Sequence, residues 1–153
     1  MNHAVAPGRI VVGVDGSRPS REALRWALEE ARLRGLPVEA VHAWRYPVMT
    51  YAPGIMAPPT YARADLEDEA RKILDASVDA VAGEAGAEVP TDRVVVEGAA
   101  AEELVKRCGP DDLLVVGHRG RGGFMGLLLG SVAEQCSTHT RCPVVIVRSA
   151  GSG

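Results

Sequence analysis

The sequence predicts an α/β fold in which a single doubly wound parallel sheet of five strands carries helices on both faces. Five short apolar, β-branched runs alternate along the chain with four segments of helical periodicity. The run LLVV at 113–116 is apolar at every position, as a strand covered on both faces must be. With 153 residues, 46% hydrophobic and 24% charged, the chain has the size and balance of one globular domain. Aromatic residues make up only 4%, so the core has to be aliphatic and alanine-rich.

Each element has a local reason. Residues 9–15, RIVVGVD, read as a buried strand that runs into a turn at Asp15-Gly16-Ser17. Leu24, Ala27, Leu28 and Ala31 then recur at i, i+3, i+4 and i+7, leaving Arg21, Glu22, Arg25, Glu29 and Arg32 for solvent. Pro19 suits the first turn of that helix, and Gly35 before Pro37 ends it. Residues 38–43 supply the second strand. The next stretch, 44–61, holds four of the ten prolines and four of the six aromatics, a mixture that no helix or central strand tolerates. It is a long loop, which either packs as a cover over the sheet edge or meets a ligand or partner.

Leu66, Ala70, Ile73, Leu74, Ser77 and Val81 form a second amphipathic helix with acids in its first turns, and glycines 83 and 86 are expected to close it. Residues 93–97 are a third strand and 99–108 a third helix, stopped by Gly109-Pro110. After the fourth strand at 113–116 and a glycine-rich stretch come a fourth helix at 131–140 and a fifth strand at 143–148. The whole of 1–153 is expected to be one domain, with flexible ends at about 1–7 and 149–153.

Composition excludes several function classes. Seventeen basic and 20 acidic residues leave a formal charge of −3, so the chain is no electrostatic magnet for nucleic acid. No stretch approaches the roughly 20 apolar residues of a membrane span, and no signal peptide opens the chain, so a cytoplasmic location without membrane contact is expected. Cys108, Cys136 and Cys142 are odd in number without a CxxC pair, which suits small buried hydrophobes in a reducing compartment. His3, His42 and His139 lack metal-ligand spacing. Ser131 is not in a GxSxG elbow and has no base placed by motif, so no catalytic nucleophile is expected.

The chemistry concentrates in GHRGRGGFMGLLLGS, residues 117–131, with six glycines, and no acid lies between Leu113 and Ala133. A phosphate group needs converging backbone N–H donors, no Cβ in the way, and the positive end of a helix behind it. Gly117 and Gly120 flank a turn off the fourth strand, Gly122 and Gly123 keep it bare, and Gly130-Ser131 opens a helix with a hydroxyl expected at the capping position. His118 lies inside the turn, and Arg119 and Arg121 add guanidinium donors. The P-loop pattern is absent, and a dinucleotide fingerprint would follow the first strand rather than the fourth. The spacing Gly117-x2-Gly120-x9-Gly130-Ser131 arises by chance in roughly 1 to 2% of chains of this composition. Its position between an apolar strand and a helix start raises its weight. Asp15 lies at the carboxyl end of another strand, where it is either a nucleoside hydroxyl acceptor or a turn and cap residue.

RIVVGVDGSRPSREALRWALEEA near the start and VVGHRGRGGFMGLLLGSVAEQCSTHTRCPVVIVR near the end, with the same order of elements between them, resemble the universal stress protein family in its ATP-binding branch. The resemblance implies a Rossmann-like fold of the adenine nucleotide alpha hydrolase type and ATP as ligand, with or without Mg. It places Gly13, Asp15 and Val41 on the nucleoside side, and Gly117, Gly120, Gly130, Ser131 and Val132 on the phosphate side. His118 departs from the family, which commonly has serine there. The family implies a nucleotide-dependent stress-response module without strong catalysis; AMP or cyclic AMP as ligand, or slow ATP hydrolysis, are the alternatives. The last strand, Val144, Val145, Ile146 and Val147, is too apolar for an open edge, and the resemblance implies that it pairs with its counterpart in a symmetric homodimer.

Overall fold

In the computed structural model, which describes residues 8–47, 62–85, 88–119 and 129–149, strands and helices alternate from end to end. The elements are β1 (Ile10–Gly13), α1 (Arg18–Arg34), β2 (Val38–Trp44), α2 (Arg63–Ala85), β3 (Thr91–Glu97), α3 (Ala100–Arg107), β4 (Leu113–Gly117), α4 (Ser131–His139) and β5 (Val144–Val147). All four strand pairings are parallel and the sheet order is β3-β2-β1-β4-β5. The predicted doubly wound Rossmann-like sheet is therefore the observed one.

Strand pleat divides the core into two layers. Ile10, Val12 and Val115 face α1 and α2, where they meet Leu24, Leu28, Leu74 and Val78. Val11, Leu114 and Val116 face α3 and α4, against Leu104, Ala133 and Cys136. The expectation of small buried cysteines holds: all three are free and buried. Burial, with Cys142 close by, pushes the Cys136 thiol up to about 11 and holds Cys108 well above the ordinary thiol range. Both are packing atoms and poor nucleophiles.

Several boundaries differ from expectation, among them that of β2, which runs on to Trp44, the first residue of the stretch expected to be loop. α2 runs through Gly83 to Ala85, because Gly83 lies on an exposed face where nothing stands within 4 Å of a Cβ and no turn is demanded of it; Gly86, the other expected stop, lies outside the described residues. β3 begins two residues early, at Thr91, since its backbone pairs with β2 through Thr91 and Asp92 despite their polarity. β1 stops at Gly13, although Val14 N–H still donates to the Val41 carbonyl at 2.8 Å. The 48–61 part of the long loop, and the terminal residues 1–7 and 150–153, lie outside the described residues.

The amino ends of the strands are tied by charge. Glu39 of β2, 5% exposed, receives Arg9 and, at 2.9 Å, Arg107 Nη1. Arg9 also donates from Nη2 to the Arg107 carbonyl at 2.7 Å, satisfying a group at the end of α3. Asp112 accepts the backbone N–H of Arg9 at 3.0 Å and that of Gly109 at 2.8 Å. One clamp thus joins β1, β2, α3 and the turn into β4, at the end of the sheet away from the glycine stretch.

Candidate functional site

From β1 the chain winds outward through β2 to β3, then returns across the sheet to β4, so strand order reverses between β1 and β4. A crevice beyond the carboxyl ends at such a point is the usual ligand site of an open parallel sheet. A cleft of about 270 Å³ occupies that place, formed by the ends of β1, β2 and β4 with the first turns of α1, α3 and α4.

The turn after β1 is rigidly built. Gly16 takes φ 81°, the left-handed region that glycine enters without strain. Asp15 Oδ1 accepts the Ser17 N–H at 2.9 Å, and Ser17 caps α1 by accepting the Ser20 N–H at 3.3 Å. Ser20 Oγ donates to the Ser17 carbonyl at 3.0 Å and accepts the Asp15 N–H at 3.2 Å. Asp15 is thus a turn residue, and it also lines the cleft. The two sequence readings of this residue are compatible.

Glycine serves packing at two of the strand ends. A Cβ on Gly13 would lie 3.0 Å from Leu104 Cδ1 of α3. A Cβ on Gly117 would lie 3.0 Å from both the carbonyl carbon and oxygen of Pro19, in the first turn of α1. Opposite faces of the sheet thereby bring helix starts up to the cleft.

Beyond β4, the His118 N–H donates to the Val147 carbonyl at 2.8 Å, and the His118 carbonyl accepts the Gly130 N–H at 2.9 Å. The two ends of the glycine stretch are therefore pinned together, while Gly120, Arg121, Gly122 and Gly123 lie outside the described residues. His118 Nε2 is buried without a hydrogen-bond partner. The expectation for Ser131 needs correction. Gly130, with φ −67° and ψ 157°, is the cap of α4, and Ser131 is its first helical residue. The Gly130 carbonyl takes the first intrahelical bond, from Glu134 N–H at 3.0 Å, and the glycine cap contributes no side-chain hydrogen bond of its own. The first amides of a helix need acceptors from outside it.

Of the residues singled out in the sequence, Gly13, Asp15, Val41, Gly117, Arg119 and Val132 line the cleft together; His118, Gly130 and Ser131 are not among its lining residues. The Val41 carbonyl already holds the Val14 N–H, so a ligand would use its second lone pair. Sequence reasoning missed His42, Ser20 and the apolar wall of Ala43, Leu104 and Val116. His42 was set aside for lacking metal spacing, yet its place beside Val41 near the carboxyl end of a central strand was the signal that could have found it.

The polar lining comes from different strand ends. His42 lies on β2 and Asp15 follows β1, while Arg119 follows β4 and Val132 lies in the first turn of α4. An apolar-walled slot that offers both acceptors and a cation beside a helix start suits a ligand with an anionic end and a donor-bearing, flat apolar end. Among the described residues no group of three or more His, Cys, Asp and Glu side chains is placed to hold a metal ion, and no helix is long and apolar enough to cross a membrane.

Comparison with known proteins gives the same direction. Residues 7–148 match the family model described as the universal stress protein family. The universal stress protein Rv2623 of Mycobacterium tuberculosis is 38% identical over 141 residues, 91% of this chain and 44% of that protein, so the chain spans less than half the length of that relative. A universal stress protein solved in complex with cAMP superposes with a TM-score of 0.65 at 28% identity, covering 92% of this chain and 96% of that one. The universal stress protein of Archaeoglobus fulgidus in complex with dAMP superposes with a TM-score of 0.61 at 26% identity, covering 91% and 96%. The chain belongs to the universal stress protein family.

Proposed function

We propose that this chain binds an adenine nucleotide in the switch-point cleft, with ATP as the expected ligand, and acts as a nucleotide-dependent stress-response module rather than a strong catalyst. The carrying observation is the convergence of Asp15, Val41, Gly117, Arg119 and Val132, from separate parts of the chain, on one apolar-walled cleft. The glycine-capped start of α4 adds N–H donors for a phosphate. Relatives solved with cAMP and dAMP support the adenine nucleotide and favour a second reading, in which a single phosphate is the natural cargo. The glycine motif, Gly120 to Gly123 included, belongs to this proposal on its phosphate side, as do Gly130, Ser131 and a neighbouring His118.

The same reading takes residues 1–153 as one domain, in the cytoplasm, paired through β5 with a second copy. Free buried thiols suit a reducing compartment.

Mass spectrometry of nucleotide released from the purified protein, followed by melting with ATP, AMP and cyclic AMP, tests the ligand. At 100 times its Kd a ligand should stabilise the fold by about 2.7 kcal/mol. If none of the three moves the melting point, the nucleotide reading fails. ADP release above background would argue for a slow ATPase instead.

A further inference from the structure

His42 is a cleft residue that neither the glycine motif nor its resemblance uses. Its Nδ1 lies 2.6 Å from the Val14 carbonyl oxygen. A carbonyl can only accept, so Nδ1 carries the hydrogen and the neutral ring keeps an unprotonated, acceptor-only Nε2. The two ring nitrogens point to opposite sides, so an imidazole with Nδ1 against the residue that follows β1 turns Nε2 away from it, and His42 is among the residues that line the cleft. Two other lining groups have the same character. Asp15 presents a carboxylate, and the Ser20 hydroxyl spends its hydrogen on the Ser17 carbonyl. His42, Asp15 and Ser20 all line the same cleft.

Resting on the nucleotide reading above, we infer that His42 is a specificity-determining residue whose Nε2 accepts a hydrogen bond from the nucleoside, favouring a base that offers an exocyclic amine over one that offers a carbonyl. Adenine has that amine, whereas hypoxanthine places a carbonyl at the same position, lone pair against lone pair. A ribose hydroxyl is the other donor of the same chemistry, and it is absent at the 2′ position of dAMP.

The experiment measures the affinities of AMP, IMP and dAMP by calorimetry for the parent protein, for His42→Phe, which keeps a flat ring without either nitrogen, and for His42→Gln, whose amide can both donate to Val14 and accept from a ligand. One neutral hydrogen bond is worth about a three- to tenfold preference. The parent should favour AMP over IMP by at least that factor, His42→Phe should lose it, and His42→Gln should recover part of it. If the lost preference is instead AMP over dAMP, the donor is the ribose hydroxyl and His42 still reads the nucleoside. A merely structural role would weaken all three nucleotides together and leave both ratios within twofold of the parent's, which overturns the inference while the nucleotide reading stands. Failure of the parent to bind any of the three at millimolar concentration overturns that reading, and this one with it.

Discussion

Gly117 answers to two demands at once. It opens the phosphate-type spacing, yet its missing side chain is also where Pro19 comes to rest, 3.0 Å from an ideal Cβ. Gly117→Ala should therefore push the first turn of α1 outward and cost about 1–3 kcal/mol by overpacking, read from urea unfolding with Trp26, which packs against the core, as a fluorescence probe. Nucleotide affinity should fall with it, because Ser17 and Ser20, which hold Asp15, move with that turn. The residue scale was only partly legible in the sequence. Asp15 could be found because strand, turn and cap residues are adjacent in the chain. His42 was legible only by its place near a strand end, because the contact that orients its ring is with the Val14 carbonyl, 28 residues away. Packing reasons for Gly13 and Gly117 were equally hidden, since each depends on a helix that arrives from elsewhere.

Among the elements, helices were read best where an apolar stripe and a stop signal agreed. α1 has both: Gly35 takes φ 67° and donates its N–H to the Ala31 carbonyl. α2 has the stripe but runs past Gly83, because an exposed glycine costs a helix about 1 kcal/mol and does not break it. α4 starts at Ser131 as its pattern suggests, but its cap is Gly130, as glycine can be an N-cap without a hydroxyl. The ionic clamp on β2 was invisible in the sequence, where Glu39 looks like any strand-edge charge. Glu39→Gln keeps the shape and removes the charge between Arg9 and Arg107. Losing one partner of a buried pair costs about 3–5 kcal/mol, and the roughly one-third exposure of both arginines reduces this to about 2–3. Chemical denaturation should show that loss, with nucleotide affinity unchanged.

The two edges of the whole sheet are built differently. β3 carries Asp92, Arg93 and Glu97, and Arg93 reaches Asp75 at 3.0 Å and Asp79 at 2.6 Å on α2, bonds that raise its already high pKa. Such an edge repels a further strand. β5 is VVIV, and every residue of it is half-buried. The carbonyls of Pro143 and Val147 point at β4, so by the alternation of a strand those of Val144 and Ile146, with their N–H groups, face outward. Self-association through β5 should give a dimer in sedimentation at tens of micromolar. Ile146→Pro deletes a central outward N–H while sparing the β4 ladder, and should yield a monomer with its far-ultraviolet dichroism retained. A parent protein that sediments as a monomer would end the dimer proposal.

Between the Arg9–Glu39 clamp and the Asp15 turn lie the five residues from Ile10 to Val14, four of them in β1, and β1 alone is about 13 Å of strand. That separation is enough for the free energies of changes at the two ends to add with little cross-talk. An engineer could therefore reinforce one rim of the sheet to absorb the losses of remodelling the other, and exchange the cargo of this scaffold without having to rebuild its frame.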